Sequence, residues 1–109
     1  MEGGPDFSVT RRRAGDAVVV VPVGEIDLAT VDALEAEIGA AAAEPHTEIV
    51  LDLRSTTFLD STGIRLVVQL ARDLGSAFGV VRGIGEVARV FDLVGLDGRV
   101  RMLDTPPGE

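Results

Sequence analysis

The 109-residue chain has no cysteine. That excludes a disulfide framework, a thiolate metal site and a cysteine nucleophile. Lysine is missing too, so all of its basic side chains are arginine. A Schiff-base lysine and the phosphate-binding lysine of a P-loop go with it. The single histidine, His46, cannot build a multi-histidine metal cluster. It lies between Pro45 and Thr47 with no serine or carboxylate at motif spacing, and it reads as an exposed loop residue. No metal or other cofactor is expected. Positive charge is scarce: 10 basic against 18 acidic residues leave a net charge of −8. Phosphate neutralisation needs a basic face, so nucleic acid is not expected as a direct partner. The run Arg11-Arg12-Arg13 reads as the solvated end of an edge strand. No apolar run approaches the ~20 residues of a membrane span. The acidic, glycine-rich start, Met1 to Asp6, does not read as a signal peptide. A soluble, cytoplasmic protein without a membrane partner is expected.

What is present is an ordinary globular balance, 46% hydrophobic and 26% charged, in a length that suits one domain. Residues 1–6 and 105–109 read as flexible polar tails around a domain at 7–104. Phe7 to Arg13 alternates as a half-buried strand. Ala17 to Val23 is apolar and β-branched, a strand covered on both faces, with Pro22 near its end. Gly15-Asp16 between them predicts a hairpin turn. Val31, Leu34, Ile38 and Ala41 form a helical stripe that Pro45 stops. Glu48 to Leu53 returns to strand. Ile64, Val67, Val68, Ala71 and Leu74 mark a second helix, ended by Gly75. Ala77 to Arg82 is a strand, Val87 to Val94 a third helix ended by Gly95, and Arg99 to Leu103 a last strand. The order is β-β-α-β-α-β-α-β. Right-handed crossovers make the later strands parallel. The expected fold is a mixed, mostly parallel α/β sheet of about five strands with three helices. Periodicity leaves open whether those helices share one face.

The stretch richest in chemistry runs from Ile49 to Ile64. A buried strand enters a loop that ends Asp60-Ser61-Thr62-Gly63 at the start of a helix. Asp60 or Ser61 can cap the helix by accepting its free N–H groups. Gly63 can leave the backbone open to close approach by another molecule. An exposed serine at such a position can also accept a phosphate. Asp27, before Leu28-Ala29-Thr30, fits an N-cap of the first helix or a place at a partner surface. Gly83-Ile84-Gly85-Glu86-Val87-Ala88 fits the Gly-x-Gly-x-x-Gly/Ala dinucleotide pattern, with Asp104 at about the expected distance. Only one strand follows it, so a second mononucleotide half cannot form, and a tight turn is the simpler reading.

Three blocks carry a family resemblance: Gly24-Glu25-Ile26-Asp27, Phe58-Leu59-Asp60-Ser61-Thr62-Gly63-Ile64, and Val90-Phe91-Asp92-Leu93-Val94-Gly95-Leu96. Over residues 7–104 the chain resembles the STAS domain, the module of bacterial anti-sigma factor antagonists and of sulphate-transporter cytoplasmic tails. Ile26 stands where leucine is commoner. The resemblance implies a STAS-like fold and an anti-sigma factor antagonist that is not an enzyme. Such a protein binds an ATP-using anti-sigma kinase, releasing a sigma factor, and lets go once phosphorylated. A metal-dependent serine phosphatase resets it. Ser61 matches the acceptor serine, directly after the aspartate; Thr62 is the weaker candidate. The implied partner surface is Gly24, Glu25, Ile26, Asp27, Asp60, Ser61, Thr62, Gly63 and Ile64. Asp60 would orient Ser61 and border the partner's nucleotide, while the kinase supplies the general base. The competing expectation is an accessory or scaffold STAS protein that docks another ATPase or STAS protein without a sigma-factor role.

Overall fold

The structure, a computed structural model, describes residues 6–109. Its axis is β2 (Ala17–Ile26). The valine run that opens this strand leaves no polar side chain for water, and Val18, Val19 and Val20 are all fully buried. β1 (Ser8–Ala14) pairs antiparallel along β2 through the Gly15-Asp16 turn. On the other side β2 meets two parallel partners in succession. β3 (Glu48–Asp52) pairs with residues Ala17 to Val20, and β4 (Thr56–Leu59) pairs with Gly24 to Ile26. Pro22, which has no N–H to donate, falls in the gap between the two parallel ladders.

β5 (Phe78–Val81) and β6 (Arg101–Leu103) extend the sheet in parallel, giving the order β1-β2-β3-β5-β6 with β4 on β2. The sheet is thus six-stranded, not five-stranded. β4 is the strand that periodicity takes for loop. It has only four residues, and only its first and last are buried, so it carries no alternation.

The helices are α1 (Val31–Ala43), α2 (Ser61–Leu74) and α3 (Gly85–Val94). All three share one face. Leu34, Ile38 and Ala41 of α1, Leu66 and Val67 of α2, and Val87 and Phe91 of α3 join one core with Val18, Val20, Ile49, Leu51, Phe78 and Val80. The cause is topological. From β2 each crossover steps to the next strand in the same direction, and right-handed crossovers in one direction keep every helix on one side. Arg11 and Arg13 lie on this side too, where they pair with Glu37 of α1 and Glu44 at its C-terminal cap. The arginine run therefore clamps an edge strand to a helix.

The second face carries Val19, Val50 and Val81, all buried, although among the described residues no helix packs there. Residues 105–109, expected as a free tail, cross this face from β6 back to β1. Pro106 is buried, and the Pro107 carbonyl accepts from Arg12 Nη1 at 3.1 Å. Gly108 approaches so closely that a Cβ there would stand 3.1 Å from Ala14 Cβ. Glu109 meets Arg54 at 2.7 and 2.9 Å, and Arg54 also holds the buried Asp52 carboxylate. Sequence gives little sign of this, because a Thr-Pro-Pro-Gly-Glu end has the composition of a tail. Of the expected N-terminal tail, residues 1–5 lie outside the described residues. Asp6 is exposed in a turn.

The Arg54 guanidinium holds the Glu109 carboxyl below its ordinary value. The latch is therefore charged at neutral pH and loosens only as pH falls through that depressed value. Truncation after Asp104 should expose the face that carries Val19, Val50 and Val81. It should cost about 2 kcal/mol, the worth of one buried aliphatic side chain, and lower the melting temperature by about 10 °C with the helical circular dichroism retained. An unchanged melting temperature would show that the segment contributes no packing.

Candidate functional site

Where β2 ends, the chain must turn sharply. The register shifts by one residue between Gly24 and Glu25 as β2 passes onto β4. Gly24 has φ +107°, and a Cβ there would sit 2.3 Å from the Asp6 carbonyl oxygen, so no larger residue fits. The loop that follows closes on itself. The Thr30 hydroxyl donates to the Glu25 carbonyl at 2.7 Å and accepts from the Asp27 amide at 2.9 Å. The Asp27 carboxylate accepts from the Ala29 amide at 3.0 Å. Thr30, not Asp27, is the cap residue of α1, and Asp27 serves to brace its own loop. Leu28 is left outside with 76% of its surface exposed.

β4 delivers Asp60 beside this loop, and its amide donates to the Ile26 carbonyl at 3.1 Å. Its side chain caps α2. One carboxylate oxygen accepts from the Thr62 amide at 2.9 Å, the Gly63 amide at 3.2 Å and the Thr62 hydroxyl. The Thr62 hydroxyl, with the amides of Gly63, Thr62 and Leu28, holds the Asp60 carboxyl below its ordinary value, against the opposing effect of partial burial. A carboxylate so stabilised is a weak base and a strong cap.

Ser61 is the first residue of α2 and is exposed. Asp60 has taken the cap, and among the described residues no group hydrogen-bonds the Ser61 hydroxyl. Thr62 is half-buried and its hydroxyl is committed to Asp60. Of the two adjacent hydroxyls, only that of Ser61 is both accessible and free.

Gly63 does not open the backbone to another molecule. It is buried, and a Cβ there would stand 2.4 Å from Leu59 Cδ1 and 2.9 Å from Ile26 Cγ2. Glycine is needed so that the first turn of α2 can lie directly on β4 and β2. Ile26 is fully buried as well, and Ile64 packs partly against the core. The residues singled out by sequence thus divide. Glu25 and Ser61 face solvent, Gly24, Asp27, Asp60 and Thr62 are half-buried, and Ile26 and Gly63 point inward as supports. Leu28 is the residue that sequence reasoning passes over, because its spacing from Val31 makes it look like one more member of the α1 stripe.

Ile84, 72% exposed, follows β5 at the same end of the parallel strands. The glycine pattern around it has a structural cause: a Cβ at Gly83 would lie 2.7 Å from the Leu53 carbonyl oxygen and 2.8 Å from Val87 Cγ1. The order β2-β3-β5-β6 never reverses, so the sheet lacks the crevice in which dinucleotides bind. His46 is half-buried, with Nδ1 2.7 Å from the Glu44 carbonyl oxygen in the turn after α1. Among the described residues no cluster of three or more histidine, aspartate or glutamate side chains is placed to hold a metal ion.

A mixed, mostly parallel six-stranded sheet with three helices is the fold of the SpoIIAA-like solved structures. Residues 8–106 match the STAS domain family, and the chain belongs to it. A relative from Mycobacterium tuberculosis, the anti-sigma-F factor antagonist RsfB, is 37% identical over 104 residues, covering 93% of this chain and 85% of that one. The crystal structure of an anti-sigma factor antagonist from Mycobacterium paratuberculosis superposes with a TM-score of 0.81. It is 34% identical and covers 94% of this chain and 90% of its own. The anti-sigma factor antagonist SpoIIAA in its unphosphorylated form shares the fold at a TM-score of 0.67 and 24% identity, covering 89% and 87%. By name these relatives are regulatory proteins.

Two outcomes follow from this geometry. Gly63→Ala should cost about 1–3 kcal/mol in urea unfolding, because Leu59 and Ile26 are buried and cannot withdraw freely. A neutral result would mean that α2 shifts without penalty. Asp60→Ala should cost about 1 kcal/mol, whereas Ser61→Ala should stay within about 0.5 kcal/mol of the parent. Because the Asp60 carboxyl is depressed in the folded state, its contribution is full above the ordinary carboxylate range and is lost as pH falls through the depressed value. The stability difference between parent and Asp60→Ala should therefore shrink in acid. A constant difference would remove the charged cap.

Proposed function

We propose that this protein is an anti-sigma factor antagonist controlled by phosphorylation of Ser61. Unmodified, it binds an ATP-using anti-sigma kinase through the Gly24–Leu28 loop and the start of α2, and a sigma factor is released from that kinase. The observation that carries this reading is the division between neighbours. Asp60 holds the helix end, Thr62 is bonded to Asp60, and Ser61 offers an exposed, uncommitted hydroxyl. The names of relatives at 34% and 37% identity support the partner class. The setting for such a cycle is the cytoplasm; among the described residues no helix is long and apolar enough to cross a membrane.

In the transfer step Ser61 Oγ forms a bond to the γ-phosphorus of ATP. The bond from that phosphorus to the β-phosphate oxygen breaks, ADP leaves, and the serine proton passes to a base. That base belongs to the kinase, since Asp60 is engaged with α2 and its basicity is lowered. This protein is substrate and ligand, not enzyme. A serine phosphatase reverses the step by moving the phosphoryl group to water.

The phosphate acts on binding more than on folding. It adds about two negative charges at a rim already bearing Asp60, Asp27 and Glu25. In a complex those charges must be desolvated, at several kcal/mol. In the free protein they stay in water, and the cap on α2 is unaffected.

Incubation with the cognate kinase and ATP should add one phosphate, which peptide mapping should place on Ser61. Ser61→Asp should weaken kinase binding at least about tenfold, or 1.4 kcal/mol, while melting like the parent. Ser61→Ala should bind like the parent and accept no phosphate. Phosphate on Thr62 or Ser55, or equal affinities for the aspartate and alanine variants, would reject the assignment.

A further inference from the structure

Resting on the reading of Ser61 as a phosphorylated serine, we propose that Arg65 is the intramolecular counter-ion of the phosphate. The two residues are four apart in α2, one turn along the same face. Both are exposed. The anion would lie N-terminal to the cation, the favoured order for such a pair on a helix. A guanidinium can present two parallel N–H donors to a phosphate.

The first observation behind this is that Arg65 is unengaged. Among the described residues Arg65, Arg72 and Arg99 have no carboxylate within ion-pair distance, while every other arginine has one. Of those three only Arg65 lies in the first two turns of α2. It shares a groove of about 210 Å³ between α1 and α2 with Thr62, Gln69 and Glu35, yet Glu35 does not reach it.

The second observation is that the helix start has little left to give. The Thr62 and Gly63 amides, which would otherwise face an anion at Ser61, are already bonded to Asp60. The charged groups at the cap, on the loop before α1 and on the facing side of α1 are carboxylates: Asp60, Glu25, Asp27 and Glu35. A phosphate on Ser61 therefore enters negative surroundings in which Arg65 is the available cation. Modification then makes two changes at once. It adds a dianion, and it draws the exposed cation out of reach of a partner.

The test is a phosphate titration on the full chain, with phosphoserine installed at position 61 during translation so that no kinase is needed. The ³¹P resonance is followed against pH. A nearby cation favours the dianion, so the second phosphate ionisation should lie lower in the parent than in Arg65→Gln, by about 0.3 pH unit. Arg65→Lys should recover much of that difference, and Arg72→Gln, which removes an unpaired arginine three turns along α2 from Ser61, should titrate like the parent. Identical titrations for the parent and Arg65→Gln would overturn the pairing, and so would an equal shift in Arg72→Gln. Because the phosphate is installed chemically intact, this outcome is independent of whether a kinase modifies Ser61, which the mapping of the enzymatic product decides separately.

Discussion

The carboxylate of Asp60 accepts the open amides at the start of α2, while the amide of the same residue reaches back to Ile26 at the end of β2. This joint sets the height and direction of α2 over the sheet. It also leaves Gly63 so close to Leu59 and Ile26 that a side chain has no room. Without the joint, the first turn of α2 would expose unsatisfied donors beside a buried contact. The position of Ser61 follows from it. A residue directly after a cap, on a helix pinned from below, is held at the rim with its side chain outward.

Under the proposed function, this division of tasks would keep regulation apart from stability. Where one side chain both capped the helix and carried the phosphate, each modification would also alter the fold. Here the cap is an ionised aspartate whose charge persists well below neutral pH. The hydroxyl beside it is spare. The same local economy explains Thr62, whose hydroxyl reinforces the cap and is thereby withdrawn from competition.

The remainder of the molecule serves to hold that rim steady. Three helices cover one face of the sheet, and on the other face, where Val19, Val50 and Val81 are buried, the last residues of the chain run back to β1. Arg12, Arg54 and Glu109 hold that segment, as Arg11 and Arg13 close β1 onto α1. Such exposed pairs are individually weak. Their effect is to seat segments whose apolar contacts then contribute to packing.

Much of this is written in local pattern. The valine run, the three helical stripes and the glycine stops at Gly75 and Gly95 each record a period or a break that needs no distant partner, and Asp60-Ser61-Thr62-Gly63 carries the residue types that favour a helix start. What sequence alone determined was therefore the order of the elements other than β4 and the parallel character of the later strands, while the choice of Ser61 as a candidate acceptor came from the family resemblance. The tertiary structure alone decided which of Asp60 and Ser61 is the cap, because both can accept the same amides and only the approach of β4 to Ile26 selects one. It decided that Gly63 faces inward, since a missing side chain gives no sign of which neighbour requires its absence. It decided that β4 is a strand, because four residues with two buried ends have no period to read. It also decided that the helices share one face and that the final residues run back to β1. Both depend on the direction in which successive strands are laid down, and that direction is fixed by contacts between residues far apart in the chain.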